Sequence, residues 1–420
     1  MTIAMKRDTD IARRRAAARD AARRRSTSSA PVARRHTGPK RTSLAELVRT
    51  DHLGPPSRSY YAIATLTAML VMLGLAMLLS VSAPARAGGD GSPYTMVLRQ
   101  AMWAGVGTLG LLVATVIDYR WWRRVTGPLV IFGLGLMLLP FVPGVGRTVN
   151  DARSWVQIGP IGFQPSEILK VVLVLVTASL LVRHQDHLGD WRRSTAPLMV
   201  MAVAASLLAL GPGDFGGAVV LAAIVVAMAF LAGVPLRHLG VSVLGGGLGL
   251  LAVLVASPRR FSRLTAFFDL EGNKEDRAYQ VWQGLLSIAN GGLTGSGIGG
   301  SRSKLGYLPL AHSDFVFAII ADELGFVGVI AVLGAFTALV WLGVSVALQC
   351  TDPFGMYIAG GIAAWFGIQT VINVGGVVGV LPVTGLTLPF FSQGGTSLSV
   401  SLVAIGLLLN VARRGVAPVR

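Results

Sequence analysis

What most constrains this chain is a run of ten apolar stretches, at residues 60–82, 95–117, 127–143, 166–182, 195–210, 217–232, 239–256, 323–349, 355–373 and 396–412, each bounded by charge or by Gly/Pro clusters. A bilayer core about 30 Å thick takes roughly 20 apolar residues to cross as a helix. Only a helix or a closed barrel can cross it, because no water is present to satisfy backbone N–H and C=O groups. The spacing therefore predicts an all-α polytopic membrane protein with ten transmembrane helices. A soluble enzyme is excluded by the same account, since 53% of the residues are hydrophobic and only 14% charged, against about a quarter charged in soluble domains. The one cysteine, Cys350, rules out an intramolecular disulfide framework, a CxxC pair and a thiolate metal cluster.

Charge sets the expected orientation. Residues 1–58 hold fifteen Lys/Arg against five acidic residues, and so supply ten of the seventeen surplus positive charges. Their apolar residues are mostly Ala, too little to offset ordering entropy, so a disordered basic cytoplasmic tail is expected at 1–58. A nucleic-acid arm would look similar, but ahead of ten spans the tail reads as one held inside by its charge and drawn to anionic lipid; no nucleic-acid partner is expected. With the tail inside, the short loops on its side carry Arg120, Arg123, Arg124, Arg183, Arg192, Arg193 and Arg237, and both termini are cytoplasmic. The opposite side keeps Arg86, Arg99, Arg147 and Arg153, plus one long extracellular loop, Pro258 to Ser313, between helices 7 and 8. The membrane domain is expected at 59–414, with a short cytoplasmic end at 415–420.

Several polar groups sit where a bilayer would penalise them. Glu167 and Lys170 share a helix face at i, i+3 and can neutralise one another, either as an interfacial anchor or as a functional pair. Asp214, in Gly-Pro-Gly-Asp-Phe-Gly-Gly, can cap the sixth helix or line a cavity. Asp314, in His312-Ser313-Asp314-Phe315, joins the basic loop to an apolar run; such a carboxylate serves as a general base or as a helix cap. Gly394-Gly395-Thr396-Ser397 could offer backbone N–H groups to an anion or only cap the last helix. The glycines at Gly245 to Gly249 are expected to let helices pack closely.

Taken in order, these segments form a pattern. It runs Asn150 to Trp155, Gln164-Pro165-Ser166-Glu167 with Lys170, and Asp214-Phe215-Gly216. It continues through Tyr279-Gln280 with Gly291-Gly292 and Gly295-Ser296-Gly297 to Ser301, Lys304, Tyr307-Leu308-Pro309 and His312-Ser313-Asp314-Phe315. Glu323-Leu324-Gly325-Phe326, Leu381-Pro382-Val383-Thr384-Gly385 and Gly394-Gly395-Thr396-Ser397 complete it. From residue 60 to 414 the chain resembles the SEDS family of cell-wall proteins (shape, elongation, division and sporulation), and its septal branch more than its elongation branch. It departs from the family pattern at Asp151, Ser154, Pro212-Gly213 and Asp322.

The resemblance implies a glycosyltransferase that polymerises lipid II into peptidoglycan at the outer face of the cytoplasmic membrane, at the division septum. Asp314 is then the catalytic base, kept ionised by the basic loop around it. Arg153, Lys170, Arg302 and Lys304 are the groups for the departing pyrophosphate, Arg153 and Lys304 foremost, with Glu167 orienting Lys170 and with His312 and Asp214 as further substrate-binding residues. No cofactor or resident metal is required, though a divalent cation, Mg or Mn, could assist at the diphosphate. The implied partners are the lipid II substrate, a class B penicillin-binding transpeptidase of the FtsI type and other division membrane proteins. Two other classes fit a polytopic chain: a lipid II flippase, whose key charges should lie near mid-bilayer, and a non-catalytic scaffold, which needs none of them.

Overall fold

A computed structural model describes residues 56–85, 94–149, 152–159 and 161–416. The basic tail up to residue 55, residues 417–420 and the Asn150-Asp151 pair lie outside the described residues. The helices are α1 (Arg58–Ala85), α2 (Thr95–Val116), α3 (Tyr119–Phe141), α4 (Pro165–Arg183), α5 (Trp191–Leu210), α6 (Phe215–Leu231), α7 (Leu236–Val255), α8 (Pro258–Phe268), α9 (Tyr279–Gly291), α10 (Val316–Gln349), α11 (Pro353–Val377) and α12 (Gly395–Arg414). Among the described residues nine helices are long and apolar enough to cross a membrane; α6, apolar but of 17 residues, is shorter. Each expected stretch coincides with a helix, and the chain is a multi-pass membrane protein.

Burial sorts these helices. α12 and α4 are mostly enclosed (83% and 78% of their spanning windows), whereas α2 and α7 are enclosed over only 11%. A helix apolar all round is either a core helix or a lipid-facing one, and here both kinds occur. Large side chains such as Met72, Leu109, Ile131, Val200 and Leu244 are exposed along the outer helices, where acyl chains replace water. At the centre Trp365 stacks on Phe366 at 5.2 Å, and Phe366 meets Phe390 at 5.4 Å.

Three features differ from the sequence reading, and a fourth, helices within the long loop, fits a loop too long to be a mere connector. The segment between α3 and α4 is a small antiparallel sheet, β1 (Gly146–Val149), β2 (Ala152–Ile158) and β3 (Ile161–Phe163), in that order. Ser154 and Val156 alternate inward on β2 while Arg153 is exposed, the period of two that a half-covered strand needs. The long loop is no bare connection: it contains α8 and α9, and α9 packs on α10, burying Val281, Gly284 and Ser287. Gly245, Gly246, Gly247 and Gly249 meet nothing within 4 Å, so this stripe does not bring helices together within the chain. Finally, α10 begins at Val316 rather than at residue 323, and it is broken at Gly325.

The break explains the glycine-rich run that follows α9. Gly325 has φ +65° and ψ −166°, a conformation L side chains rarely adopt, and an added Cβ would lie 2.3 Å from the Gly295 nitrogen. Breaking a helix frees backbone groups that must find partners away from water. Ser296 and Gly297 donate their N–H groups to the Asp322 and Glu323 carbonyls at 2.9 and 3.0 Å. Phe326 and Val327 in turn donate to Gly292 and Leu293 at 2.9 and 3.1 Å. The loop after α9 thus fills the gap in α10 through four backbone hydrogen bonds.

Candidate active site

One end of the bundle gathers nearly all the polar side chains singled out above. There α4, α6, α10 and α12 begin and α11 ends. Pro165 at the first position of α4 needs no N–H partner. The preceding Gln164 donates its side-chain amide to Asp214 at 2.8 Å, and Ser166 Oγ donates to the same carboxylate oxygen. The other Asp214 oxygen accepts the Gly217 N–H at 2.8 Å, capping α6. Asp214 is therefore both cap and clasp, tying the start of α6 to the start of α4.

Lys170 is fully buried about one turn deeper in α4. Its Nζ donates to Glu167 Oε1 at 2.7 Å and to Gln369 Oε1 at 2.9 Å, and lies 5.1 Å from the Trp365 ring centroid. A buried cation without such partners would be untenable, so the Glu167 pair is a requirement of burial. Gln369 also donates to the Thr387 carbonyl at 2.8 Å. One turn further along α11, Asn373 uses its two amide hydrogens on the Leu386 and Asp314 carbonyls, at 2.7 and 2.9 Å. Two amides four residues apart on one helix thus connect the Lys170 cluster to the backbone of Asp314.

Asp314 is 6% exposed. It lines a narrow crevice with Asn373, Gly376, Val383, Thr384 and Leu386. The cap position of α10 falls on Phe315, one residue later. The segment before it is pinned by Gln393, which donates its N–H to the His312 carbonyl at 2.8 Å. Burial pushes the His312 imidazole below its usual value.

The preceding segment is anchored by a second buried cluster. Ser301 Oγ donates to Asp322 Oδ2 at 2.6 Å and Ser303 Oγ to the same oxygen at 3.2 Å. Lys304 Nζ pairs with Glu323 Oε1 at 2.6 Å and donates to Ser80 Oγ of α1 at 2.9 Å, with both charged side chains almost wholly enclosed. Of the four cations expected at a diphosphate, Lys170 and Lys304 are thus committed to buried carboxylates, so the expectation that Lys304 faces the diphosphate is replaced by an anchoring position. Arg153 and Arg302 are exposed, Arg153 donating an Nη2 hydrogen to the Val142 carbonyl at 3.2 Å.

The start of α12 is packed against other helices. Gln100 accepts the Gly394 N–H at 3.3 Å, Thr396 Oγ1 accepts the Gln164 N–H at 3.3 Å, and Trp103 covers Gly395. Ser80, Asp322, Glu323, Gln369 and Asn373 were not singled out as site residues from sequence. Polar residues within apolar stretches were the signal available for the last two. Among the described residues no three His, Cys, Asp or Glu side chains gather to hold a metal ion.

Comparison with known proteins gives this end of the bundle its relatives. The family described as "Cell cycle protein" (FtsW, RodA, SpoVE) matches residues 61–416. Stage V sporulation protein E of Bacillus subtilis is 35% identical over 348 residues, covering 83% of this chain and 95% of the relative. The probable peptidoglycan glycosyltransferase FtsW of Coxiella burnetii is 39% identical over 363 residues, covering 85% and 97%. Among solved structures, a chain described under "Structural coordination of polymerization and crosslinking by a peptidoglycan synthase complex" is similar at TM-score 0.69 and 31% identity, covering 84% of this chain and 97% of that one. The Thermus thermophilus rod shape determining protein RodA is similar at TM-score 0.61 and 30% identity, covering 84% and 96%. The chain therefore belongs to the FtsW/RodA/SpoVE family of polytopic cell-cycle proteins, the SEDS family.

Proposed function

We propose that this chain is a peptidoglycan glycosyltransferase that polymerises lipid II at the outer face of the cytoplasmic membrane, in the manner of the septal FtsW relatives. The observation that carries the reading is Asp314, a nearly enclosed carboxylate in a crevice at one end of the bundle, its backbone held by Asn373 and its approach segment pinned by the Lys304–Glu323 cluster. The reaction joins the 4-hydroxyl of one sugar to the anomeric carbon of another as the C–O bond to pyrophosphate breaks. Asp314 accepts the hydroxyl proton, and the electron pair leaves with the pyrophosphate, giving inversion with no covalent enzyme intermediate.

Exposed Arg153 and Arg302 meet the departing charge, while Lys170 with Glu167, Lys304 and Asp214 hold the frame, and His312 contributes to substrate binding. This reading calls for no resident cofactor, and Mg or Mn, where it assists, would bind through the substrate's diphosphate. A flippase would need its charges near mid-bilayer. Here Lys170 is about 8 Å along α4 from its first residue, at the same end as Asp314, which favours chemistry at one face.

The crosslinking partner is a single-pass class B penicillin-binding transpeptidase, since this chain lacks a transpeptidase motif set and strands without crosslinks make no wall. Other division proteins join at the septum. The first 58 residues act as a cytoplasmic basic tail, residues 59–414 as the membrane domain and 415–420 as a cytoplasmic end. The test is a gel assay of purified protein on fluorescent lipid II, with and without that transpeptidase. Asp314→Asn should abolish polymer while lipid II binding persists. Polymerisation within a few-fold of the unsubstituted protein would remove Asp314 as the base.

A further inference from the structure

At the other end of the bundle, far from Asp314, lies a second opening. α11 starts beside it at Pro353 and ends at the crevice at Val377; 25 helical residues separate the two by about 37 Å, a full bilayer. The cavity has a volume of about 380 Å³ and is lined by Arg120, Arg123, Arg124, Arg183, Asp352 and Phe354. Four arginines line it from the start of α3 and the end of α4, with one carboxylate among the described lining residues. That carboxylate, Asp352, pairs with Arg120 at 3.7 Å, and Arg120 also lies 5.3 Å from the Tyr119 ring centroid. Asp118, at the start of α3, is engaged by Arg414 at 3.6 Å. A cavity carrying this much positive charge is matched by an anion whose oxygens guanidinium forks can grip in pairs.

We propose that this cavity is a headgroup site for an anionic phospholipid of the leaflet opposite Asp314, the cytoplasmic leaflet in the orientation above. Three observations favour a lipid over a soluble phosphate. The arginines stand at span ends, at headgroup depth. Trp121 and Trp122, paired at 5.3 Å in the same turn of α3, are the aromatic type that settles at a membrane interface. Enclosed Phe354 gives the cavity an apolar wall for a glycerol backbone, and α3 continues into exposed Ile131 and Phe132, along which acyl chains can lie. Basic cavities between span ends are where such headgroups are held, and a plain excess of inside arginines would need no common cavity. The proposal is independent of the reaction assigned to Asp314.

The test uses the full chain, delipidated in detergent, then returned to nanodiscs of phosphatidylcholine with or without cardiolipin, with bound cardiolipin counted by native mass spectrometry. Two triple variants of equal charge change are compared: Arg123→Gln/Arg124→Gln/Arg183→Gln in the cavity, and Arg192→Gln/Arg193→Gln/Arg237→Gln on the same side outside it. Paired hydrogen bonds to a phosphate exceed screened surface attraction, so the cavity triplet should weaken cardiolipin retention about tenfold more than the other. Arg123→Lys/Arg124→Lys/Arg183→Lys, which keeps the charge and the fold but loses the forks, should also bind more weakly than the unsubstituted chain. Equal losses from the two glutamine triplets, or full retention by the lysine triplet, would overturn the site. Inorganic pyrophosphate protecting the detergent protein from heat through these same arginines would overturn the lipid assignment.

Discussion

Glu323→Gln should loosen the segment that leads to Asp314, and the structure sets the scale. Lys304 and Glu323 meet at 2.6 Å with side chains 2% and 0% exposed, and Ser80 Oγ donates to both Glu323 oxygens at 2.6 and 2.7 Å. The substitution keeps the shape and removes the charge, leaving an ammonium enclosed without its counter-ion. Removing one partner of such a pair costs about 3–5 kcal/mol, two to three and a half powers of ten in an opening equilibrium. The pair fastens residues 301–308 to α10 and α1, so the cost falls on opening that segment. Its amides report the opening directly: Leu305 donates to the Arg302 carbonyl at 3.0 Å and Leu308 to Ser303 at 2.9 Å. Hydrogen exchange of the purified protein should show these two amides exchanging about 10²–10³-fold faster, with those in the middle of α12 unchanged, and lipid II polymerisation falling in parallel. Lys304→Met with Glu323→Leu, which removes both charges, should restore most of the protection. If Leu305 and Leu308 exchange within about threefold of the unsubstituted protein in Glu323→Gln, or if the double variant opens as readily as the single, the anchoring argument fails.

Further outcomes follow from other contacts. Asn373→Ala leaves the Asp314 and Leu386 carbonyls without their amide; polymerisation should drop at least tenfold with lipid II binding kept, about 1.4 kcal/mol of lost positioning, and Asn373→Asp, whose carboxylate replaces both donors with acceptors, should do no better. Gly395→Ala would place a methyl 2.2 Å from the Trp103 ring, so thermal stability should fall by about 1–3 kcal/mol, and Trp103→Ala in the same chain should recover part of it. Because burial holds His312 below its usual 6.5, its neutral form is the one the fold accepts: stability is complete above about pH 6.5 and is lost as pH falls from there toward the folded value, a dependence that His312→Gln should remove from a thermal-shift series. In a Cys350→Ala background, Asn273→Cys should react with an impermeant maleimide in intact cells and Gln185→Cys only after lysis; the reverse would invert the topology and with it the outside chemistry.

The split between sequence and structure is clearest at particular residues. Glu167 and Lys170 announce their pairing by spacing alone, because an i, i+3 pair on a helix needs no partner from elsewhere. Asp214 as a cap is equally local, and the position of Asp314 between a basic loop and an apolar run was visible from composition. By contrast Lys304 looked like an aqueous cation for a diphosphate. Its burial depends on Ser80, 224 residues away, and on Glu323, 19 residues away on α10.

The apolar helices themselves and the membrane as solvent were determined by sequence, since crossing a bilayer is a condition each segment meets by itself through length and hydropathy. Which spans form the core and which face lipid was not, because both are apolar and only packing separates α12 from α7. The same holds for the site. The polar residue types were legible, but Gln369 and Asn373 connecting Lys170 to Asp314, the closure of the Gly394–Ser397 turn by Trp103, and the four arginines gathered into one cavity are contacts between distant segments. Such contacts exist only once the helices have packed.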